Sequence, residues 1–248
     1  MTGRQVLVLR PEPGASETAA RLRAAGFAPV LMPLTEIRPL APEFSAEAIR
    51  AACVAATSAN ALRHAPEILL GLLCAKPLFA VGEATAQAAR DVGFETVTAG
   101  ADDGKALTTL VLQDRPDGPL LYLCGSVRRP EFEAILKKAD VEVIPVETYK
   151  AVPIDQSRAF ARLATADESL VAMCHSPEAG GMLAGLIESH AGMAQRMRVV
   201  AISARAAQPL QAIGVAVDIA RAPTDQAMLE ALDWQRHSTT LFIRPNRP

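Results

Sequence analysis

Long hydrophobic runs are missing from this chain of 248 residues, and several other familiar signatures are missing with them. No stretch is long and apolar enough to span a bilayer. The chain enters an apolar strand at Gln5–Leu9 without a basic-then-apolar leader, so a cytoplasmic location is expected. Charge of one sign is also missing: a net charge of −2 gives no general attraction to nucleic acid or membrane surfaces, and neither partner is expected. Aromatic residues make up only 4% of the chain, so the core must be aliphatic, as buried parallel sheets prefer. The four cysteines (Cys53, Cys74, Cys124, Cys174) have no C-x-x-C spacing, and the four histidines form no ligand pattern with them. Free, buried thiols and no metal site follow. Neither a G-x-G-x-x-G turn nor a G-x-x-x-x-G-K-[ST] loop occurs, which removes the specific nucleotide signals.

What the chain does have is a duplication. A strand leads to Arg10-Pro11-Glu12, a helix, and a strand ending at Pro33-Leu34; the same outline returns from Arg129-Pro130-Glu131 to Pro145-Val146. Each copy continues to a strand stopping at a hydroxyl turn, Thr57-Ser58-Ala59-Asn60 and then His175-Ser176-Pro177-Glu178. Each then runs through Gly82-Glu83-Ala84-Thr85 to Gly93, or through Ser203-Ala204-Arg205 to Gly214. The offsets agree: Ser176 lies 118 residues after Ser58, and Gly214 lies 121 after Gly93. A repeat of that length is too long for a solenoid and reads as duplicated α/β halves. Such halves form two lobes, with a ligand expected in the cleft between them.

Apolar strand-length runs alternate with alanine-rich amphipathic stretches, which predicts parallel βαβ units. Strands are expected at Gln5–Leu9, Pro29–Met32, Ala52–Ala56, Pro77–Val81, Thr96–Val97, Leu120–Cys124, Glu142–Pro145, Leu170–Cys174, Arg198–Ile202 and Val217–Ala220. Helices are expected at, among others, Ser16–Ala25, Ala59–Leu73, Ala84–Val92, Pro177–His190, Ala204–Ile213 and Asp225–Gln235. Gly26, Gly93 and Gly214 fall where helices end, and Ser16, Thr57 or Ser58, and Ser176 where they begin. Leu34–Ala46 and Val146–Asp155 break the rhythm with extended, proline-bearing sequence. As lobe connectors they make the chain cross twice, so that one lobe holds both chain ends.

In open parallel sheets ligands bind beyond the carboxyl ends of strands. The residues there are Arg10, the Thr57–Asn60 turn, Gly82–Thr85, Gly125-Ser126-Val127-Arg128-Arg129, His175-Ser176 and Ser203–Arg205. Several open a helix, where free N–H groups attract carboxylate or phosphate. Simple capping explains any one such turn; six on one rim suit a polyanionic ligand. Asp102-Asp103 reads as a loop and cap. Cys174-His175-Ser176 is no nucleophile cluster, because neighbouring strand residues point to opposite faces. Tyr149 stands in a connector, either as a hinge anchor or as a phenol facing ligand.

The ordered set Val8-Leu9-Arg10-Pro11-Glu12, Pro33-Leu34-Thr35-Glu36-Ile37, Thr57-Ser58-Ala59-Asn60-Ala61, Val81-Gly82-Glu83-Ala84-Thr85-Ala86, Val146-Glu147-Thr148-Tyr149, Ser176-Pro177 and Ala222-Pro223-Thr224 resembles the uroporphyrinogen-III synthase family, up to about Leu232. The resemblance implies an α/β fold of two lobes, each a flavodoxin-like parallel sheet flanked by helices, joined by a two-stranded extended connector. Lobe 1 would comprise residues 1–35 and 153–248, lobe 2 residues 40–146, and the connector strands 36–39 and 147–152. It also implies a monomeric, cofactor-free lyase that takes hydroxymethylbilane, supplied by hydroxymethylbilane synthase, to uroporphyrinogen III. Water is lost and ring D inverted. Tyr149 matches the family's connector tyrosine and would assist departure of the hydroxyl. Arg10, Thr57, Ser58, Ala59, Gly82, Thr85, Gly125, Ser126, Ser176 and Arg205 would hold the substrate.

The chain departs from that family where Gly-Pro-Thr-Thr is usual, having Ser203-Ala204-Arg205-Ala206, and in carrying His175 where threonine is common. Two rival readings therefore stand beside the synthase: a non-catalytic two-lobe ligand-binding or sensor protein, and a degenerate homologue that binds tetrapyrrole without turnover. The segment Asp233–Pro248, with Leu241-Phe242-Ile243, is left as an edge strand or a packing tail.

Overall fold

Alternating apolar and amphipathic segments form two sheets in the computed structural model, which describes residues 4–100, 104–114, 117–128, 130–165 and 169–238. Asp102-Asp103, Arg129 and Leu241–Ile243 lie outside the described residues. The chain opens with β1 (Gln5–Val8), α1 (Gly14–Ala24), β2 (Ala28–Leu31), β3 (Thr35–Pro39) and α2 (Ala46–Ile49). It continues through β4 (Cys53–Ala56), α3 (Ala59–Arg63), α4 (Glu67–Leu73), β5 (Leu78–Val81), α5 (Gly82–Asp91), β6 (Val97–Gly100) and α6 (Gly104–Asp114). Then follow β7 (Leu120–Gly125), α7 (Pro130–Lys138), β8 (Val143–Pro153), α8 (Ser157–Ala164), β9 (Leu170–Cys174) and α9 (Pro177–Glu188). The last elements are α10 (Met193–Arg196), β10 (Met197–Ala201), α11 (Ala204–Ala212), β11 (Ala216–Ile219) and α12 (Asp225–Ser238).

By internal contacts the chain divides into two units, Met1–Glu36 with Pro153–Pro248, and Ile37–Val152. The first unit's sheet has the order β11-β10-β9-β1-β2, every neighbour parallel. Strand alternation sorts its core by face. Val6 and Val8 pack with Leu22, Met228 and Leu232 under α1 and α12, whereas Leu7 and Leu9 pack with Phe160, Leu183 and Leu210 under α8, α9 and α11.

The second sheet has the order β3-β8-β7-β4-β5-β6, parallel from β8 to β6. On one face Val54, Ala56, Leu121 and Leu123 meet Leu62, Leu69 and Leu73 of α3 and α4. On the other, Cys53, Ala55, Tyr122 and Cys124 meet Leu107 and Val111 of α6 and Phe132 and Leu136 of α7. All four thiols are free, and burial pushes those of Cys53 and Cys124 up to about 12.

Three local expectations change. The single helix expected over Ala59–Leu73 is two, α3 and α4, broken before Pro66. Proline lacks a donor and drives the residue before it out of the helical region. Most of the expected strand Glu142–Pro145 and of the extended Val146–Asp155 joins into one long strand, β8, over Val143–Pro153. Ser16 does not cap α1, which starts at Gly14; instead its N–H and hydroxyl both donate to the Glu12 carboxylate, at 3.0 and 2.8 Å. The helix α8, built on the buried Phe160, adds to those expected.

Candidate active site

The carboxyl ends of β4, β7 and β8 bring the second unit's hydroxyl and phenol groups together. Past the end of β4, Thr57 and Ser58 continue the strand's alternation, so they leave the sheet on opposite faces. The Ser58 side chain accepts the Asn60 N–H at 3.2 Å and caps α3. It also lies beside the Tyr149 phenol, whose pKa it lowers. Ala59 opens α3, whose first turn lies directly beyond this hydroxyl.

Tyr149 reaches that position through a register shift between Cys124 and Gly125, where β7 and β8 cease to match one for one. Such a bulge re-aims a side chain near the end of a ladder. The Ser126 N–H donates to the Tyr149 carbonyl at 2.9 Å, which anchors the shifted backbone, and the ring lies over Gly125. A Cβ on Gly125 would stand 2.8 Å from Tyr149 Cζ and 3.0 Å from its oxygen, so only glycine leaves room for the phenol. Thr148, fully buried, donates its hydroxyl to the Ala61 carbonyl at 2.7 Å and ties β8 to α3. His64, at the end of α3, holds its ring 6.4 Å from that of Tyr149, tilted by 42°. Burial and then the Arg63 charge lower the His64 pKa, so the imidazole is neutral near pH 7.

Burial raises the Tyr149 pKa, and the neighbouring Ser58 hydroxyl only partly opposes it. The phenol is therefore a protonated donor across the neutral range. On the other face, Thr57 Oγ1 lies 2.7 Å from the hydroxyl of Tyr122, whose ring packs against Phe132 with centroids 4.9 Å apart and planes tilted by 55°. One strand over, Gly82 opens α5 with φ +68, and Thr85 is buried in that helix's first turn. Ser126 is exposed just past β7. Arg128 beyond it is half-buried, its guanidinium held at 2.7 Å by both Glu133 and Glu147.

The remaining sequence-derived candidates lie in the first unit. Arg10, just past β1, donates to Asp225 at 3.1 Å, and its guanidinium fills the space over Gly14. Thr18, Arg21 and His175 converge on the same carboxylate at 3.0, 3.1 and 3.2 Å. Ser176 caps α9 by accepting the Ala179 N–H at 3.1 Å, and Arg205 is exposed in the first turn of α11, which Ser203 caps. Tyr122, Thr148 and His64 are residues that sequence reasoning does not pick out. The first sits inside a strand run, the second in an extended connector segment, and the third has no partner at ligand spacing.

Parallel sheets whose strand ends carry capped helix starts and a protonated, half-buried phenol define an α/β protein suited to holding a small polar molecule. The family profile of uroporphyrinogen-III synthase HemD matches residues 16–230. The chain belongs to the uroporphyrinogen-III synthase family, enzymes of tetrapyrrole synthesis. Among solved structures, uroporphyrinogen-III synthetase from Helicobacter pylori 26695 is similar at 16% identity with a TM-score of 0.65, over 94% of this chain and 100% of that one. A mutant uroporphyrinogen III synthase from the extremely thermophilic bacterium Thermus thermophilus is similar at 17% identity with a TM-score of 0.58, over 95% and 100%. At such identities the two structures bear on the fold. A search of curated proteins found no match. None of these findings supports a sensor or a non-catalytic binding protein. Among the described residues, no helix is long and apolar enough to cross a membrane.

Proposed function

We propose that this chain is a hydro-lyase that cyclises hydroxymethylbilane to uroporphyrinogen III, with Tyr149 as its catalytic residue. The observation that carries the reading is the phenol itself. It is buried enough to stay protonated, set beside Ser58, and seated over a glycine at the carboxyl edge of a parallel sheet. Tyr149 passes its phenol proton to the departing hydroxyl, which leaves as water and generates an azafulvene cation on ring A; the proton ring D loses at final closure returns to the phenol. The substituted carbon of ring D attacks that cation to give a spiro intermediate. Opening and reclosure of that intermediate deliver the macrocycle with ring D inverted. Closure without inversion occurs unaided, so the protein's main contribution is to hold the linear chain in one conformation.

The substrate's eight carboxylates call for N–H and hydroxyl donors. In the second unit Thr57, Ser58, Ala59, Gly82, Thr85, Gly125 and Ser126 are the proposed contacts; in the first, Ser176 and Arg205. Arg10, held by Asp225, is a further proposed contact in the first unit. The reaction as written needs no cofactor, takes its substrate from hydroxymethylbilane synthase, and suits a monomer in the cytoplasm.

The test is to generate hydroxymethylbilane with its synthase, add this protein, and identify the isomer formed. Isomer III is expected; isomer I alone would overturn the proposal. Tyr149→Phe should slow isomer III formation about 10²-fold while the thermal transition stays in place. An unchanged rate would show that the phenol is not needed.

A further inference from the structure

The chain has two tyrosines, and both end beside the same turn. Tyr149 lies beside Ser58, and Tyr122 bonds the residue before it, Thr57, at 2.7 Å. The pairing with Thr57 follows from register: β4 and β7 are parallel with Ala55 opposite Tyr122, so alternation puts the next same-face side chain of the β4 line, Thr57, over the phenol. Tyr122 is 2% exposed and its ring is clamped against Phe132, so it touches no ligand.

We infer that Tyr122 is a positioning residue, donating its buried O–H to Thr57 so that the Thr57 hydroxyl presents its own proton to a substrate carboxylate. The inference rests on the reaction proposed above. Tyr122 has Thr57 as its one hydrogen-bond partner among the described residues. Were Thr57 the donor, the phenol proton would be buried without an acceptor, which is the costlier arrangement. Burial raises the Tyr122 pKa to about 12, so the proton is present throughout the working range. With its oxygen occupied by the Tyr122 donor, the half-buried Thr57 has its O–H free to turn outward. The two phenols thus act on successive hydroxyls from opposite faces of one sheet. One is the reacting donor, the other a hidden support for a binding group.

The experiment is a double-mutant cycle on turnover of hydroxymethylbilane. A contact made equally in ground and transition states shows in KM, so Tyr122→Phe and Thr57→Val should each raise KM about tenfold with kcat nearly unchanged. The double variant should be no worse than either single one, and Thr57→Ser should restore the wild-type KM. Tyr149→Phe should lower kcat instead, which separates the two phenols. Additive losses, or an unchanged KM in Tyr122→Phe, would overturn the inference while wild-type formation of isomer III leaves the proposed function standing. Wild-type formation of isomer I alone overturns both. Tyr122→Phe keeps the ring packed against Phe132, but the pairing has a second readout should that variant fail to fold. In protein labelled with 13C at tyrosine Cζ, Thr57→Val should move the Tyr122 resonance, and an unmoved resonance would also overturn the inference.

Discussion

Gly125 shows how one missing carbon sets the chemistry of its neighbour. An alanine there would put Cβ within 2.8 Å of the Tyr149 ring, and the ring end of a side chain gives way more easily than backbone. Gly125→Ala should therefore cost less than about 1 kcal/mol of stability yet lower turnover by roughly tenfold or more, because the phenol is displaced from its seat beside Ser58. Calorimetry beside an isomer assay checks both halves; a loss of stability without loss of rate would contradict the geometry. The raised pKa of Tyr149 carries its own expectation. A donor must be protonated, so the phenol-dependent rate should hold level through neutral pH and fall only above the ordinary tyrosine value of 10.0. A pH–rate profile that falls below about pH 9 would assign the donor role elsewhere. At this scale the sequence is unevenly legible. Tyr149 stands out because a connector has no packing need for a phenol, and Ser58 because a hydroxyl before an alanine-rich stretch reads as a cap. Tyr122 does not, since it lies within Leu120–Cys124 and reads as core. Only the pairing of β7 with β4 puts it under Thr57, and strand register is a tertiary property.

Helix starts do more here than satisfy their own amides. At α12, Thr224 accepts the Ala227 N–H at 3.2 Å, and Asp225 beside it receives Arg10, Thr18, Arg21 and His175. One carboxylate thereby fastens α12 to α1 and to the ends of β1 and β9. Burial alone would raise the Asp225 pKa, but the His175 hydrogen bond, the His175 and Arg10 charges and the Thr18 hydroxyl bring it down to about 2. A depressed acid gives stability that is complete above its unfolded value of 3.8 and is lost as pH falls through about 2. His175 is lowered from 6.5, chiefly by burial, so it too withdraws stability as pH falls below 6.5, because the unfolded chain takes up the proton first. Melting temperature should accordingly decline in two stages on acidification. His175→Gln should remove the stage nearer neutrality. Asp225→Ala should cost about 2 kcal/mol at neutral pH, less than a fully buried pair because Arg21 is 55% exposed. A flat melting profile from about pH 7 to about pH 3 would show that the cluster carries no such load. Nothing in the local sequence pairs Arg10 with a residue 215 positions away, which is why it reads as an open cation at a strand end. The break at Pro66, by contrast, is written in the sequence but masked by the continuous apolar periodicity on either side.

The duplication explains the topology of the whole chain once the strands are counted by copy. The first copy contributes β1, β2, β4, β5 and β6, and the second β7, β8, β9, β10 and β11. Each sheet takes the first two strands of one copy and the last three of the other. Numbered within copies, both β2-β1-β9-β10-β11 and β8-β7-β4-β5-β6 become the order 2-1-3-4-5, the doubly wound pattern of flavodoxin. The repeats are thus exchanged between units rather than confined to them, and the crossings fall in β3 and at the end of β8. The alternation of strands and helices is legible in the sequence because it is local. The exchange is legible only as a consequence of two proline-bearing extended segments, since no residue states its sheet partner. It leads to a test by truncation. A fragment of residues 1–152 keeps every strand of the second sheet but leaves β1 and β2 without β9, and two strands alone are marginal in water. Hydrogen exchange on that fragment should find amides of β4, β5 and β7 protected and those of β1 and β2 open. Adding residues 153–248 on a separate chain should restore protection to β1, because the central place in its sheet, between β9 and β2, is then filled. Protection of β1 in the fragment alone would mean that its pairing with the second copy is not what holds the first unit together.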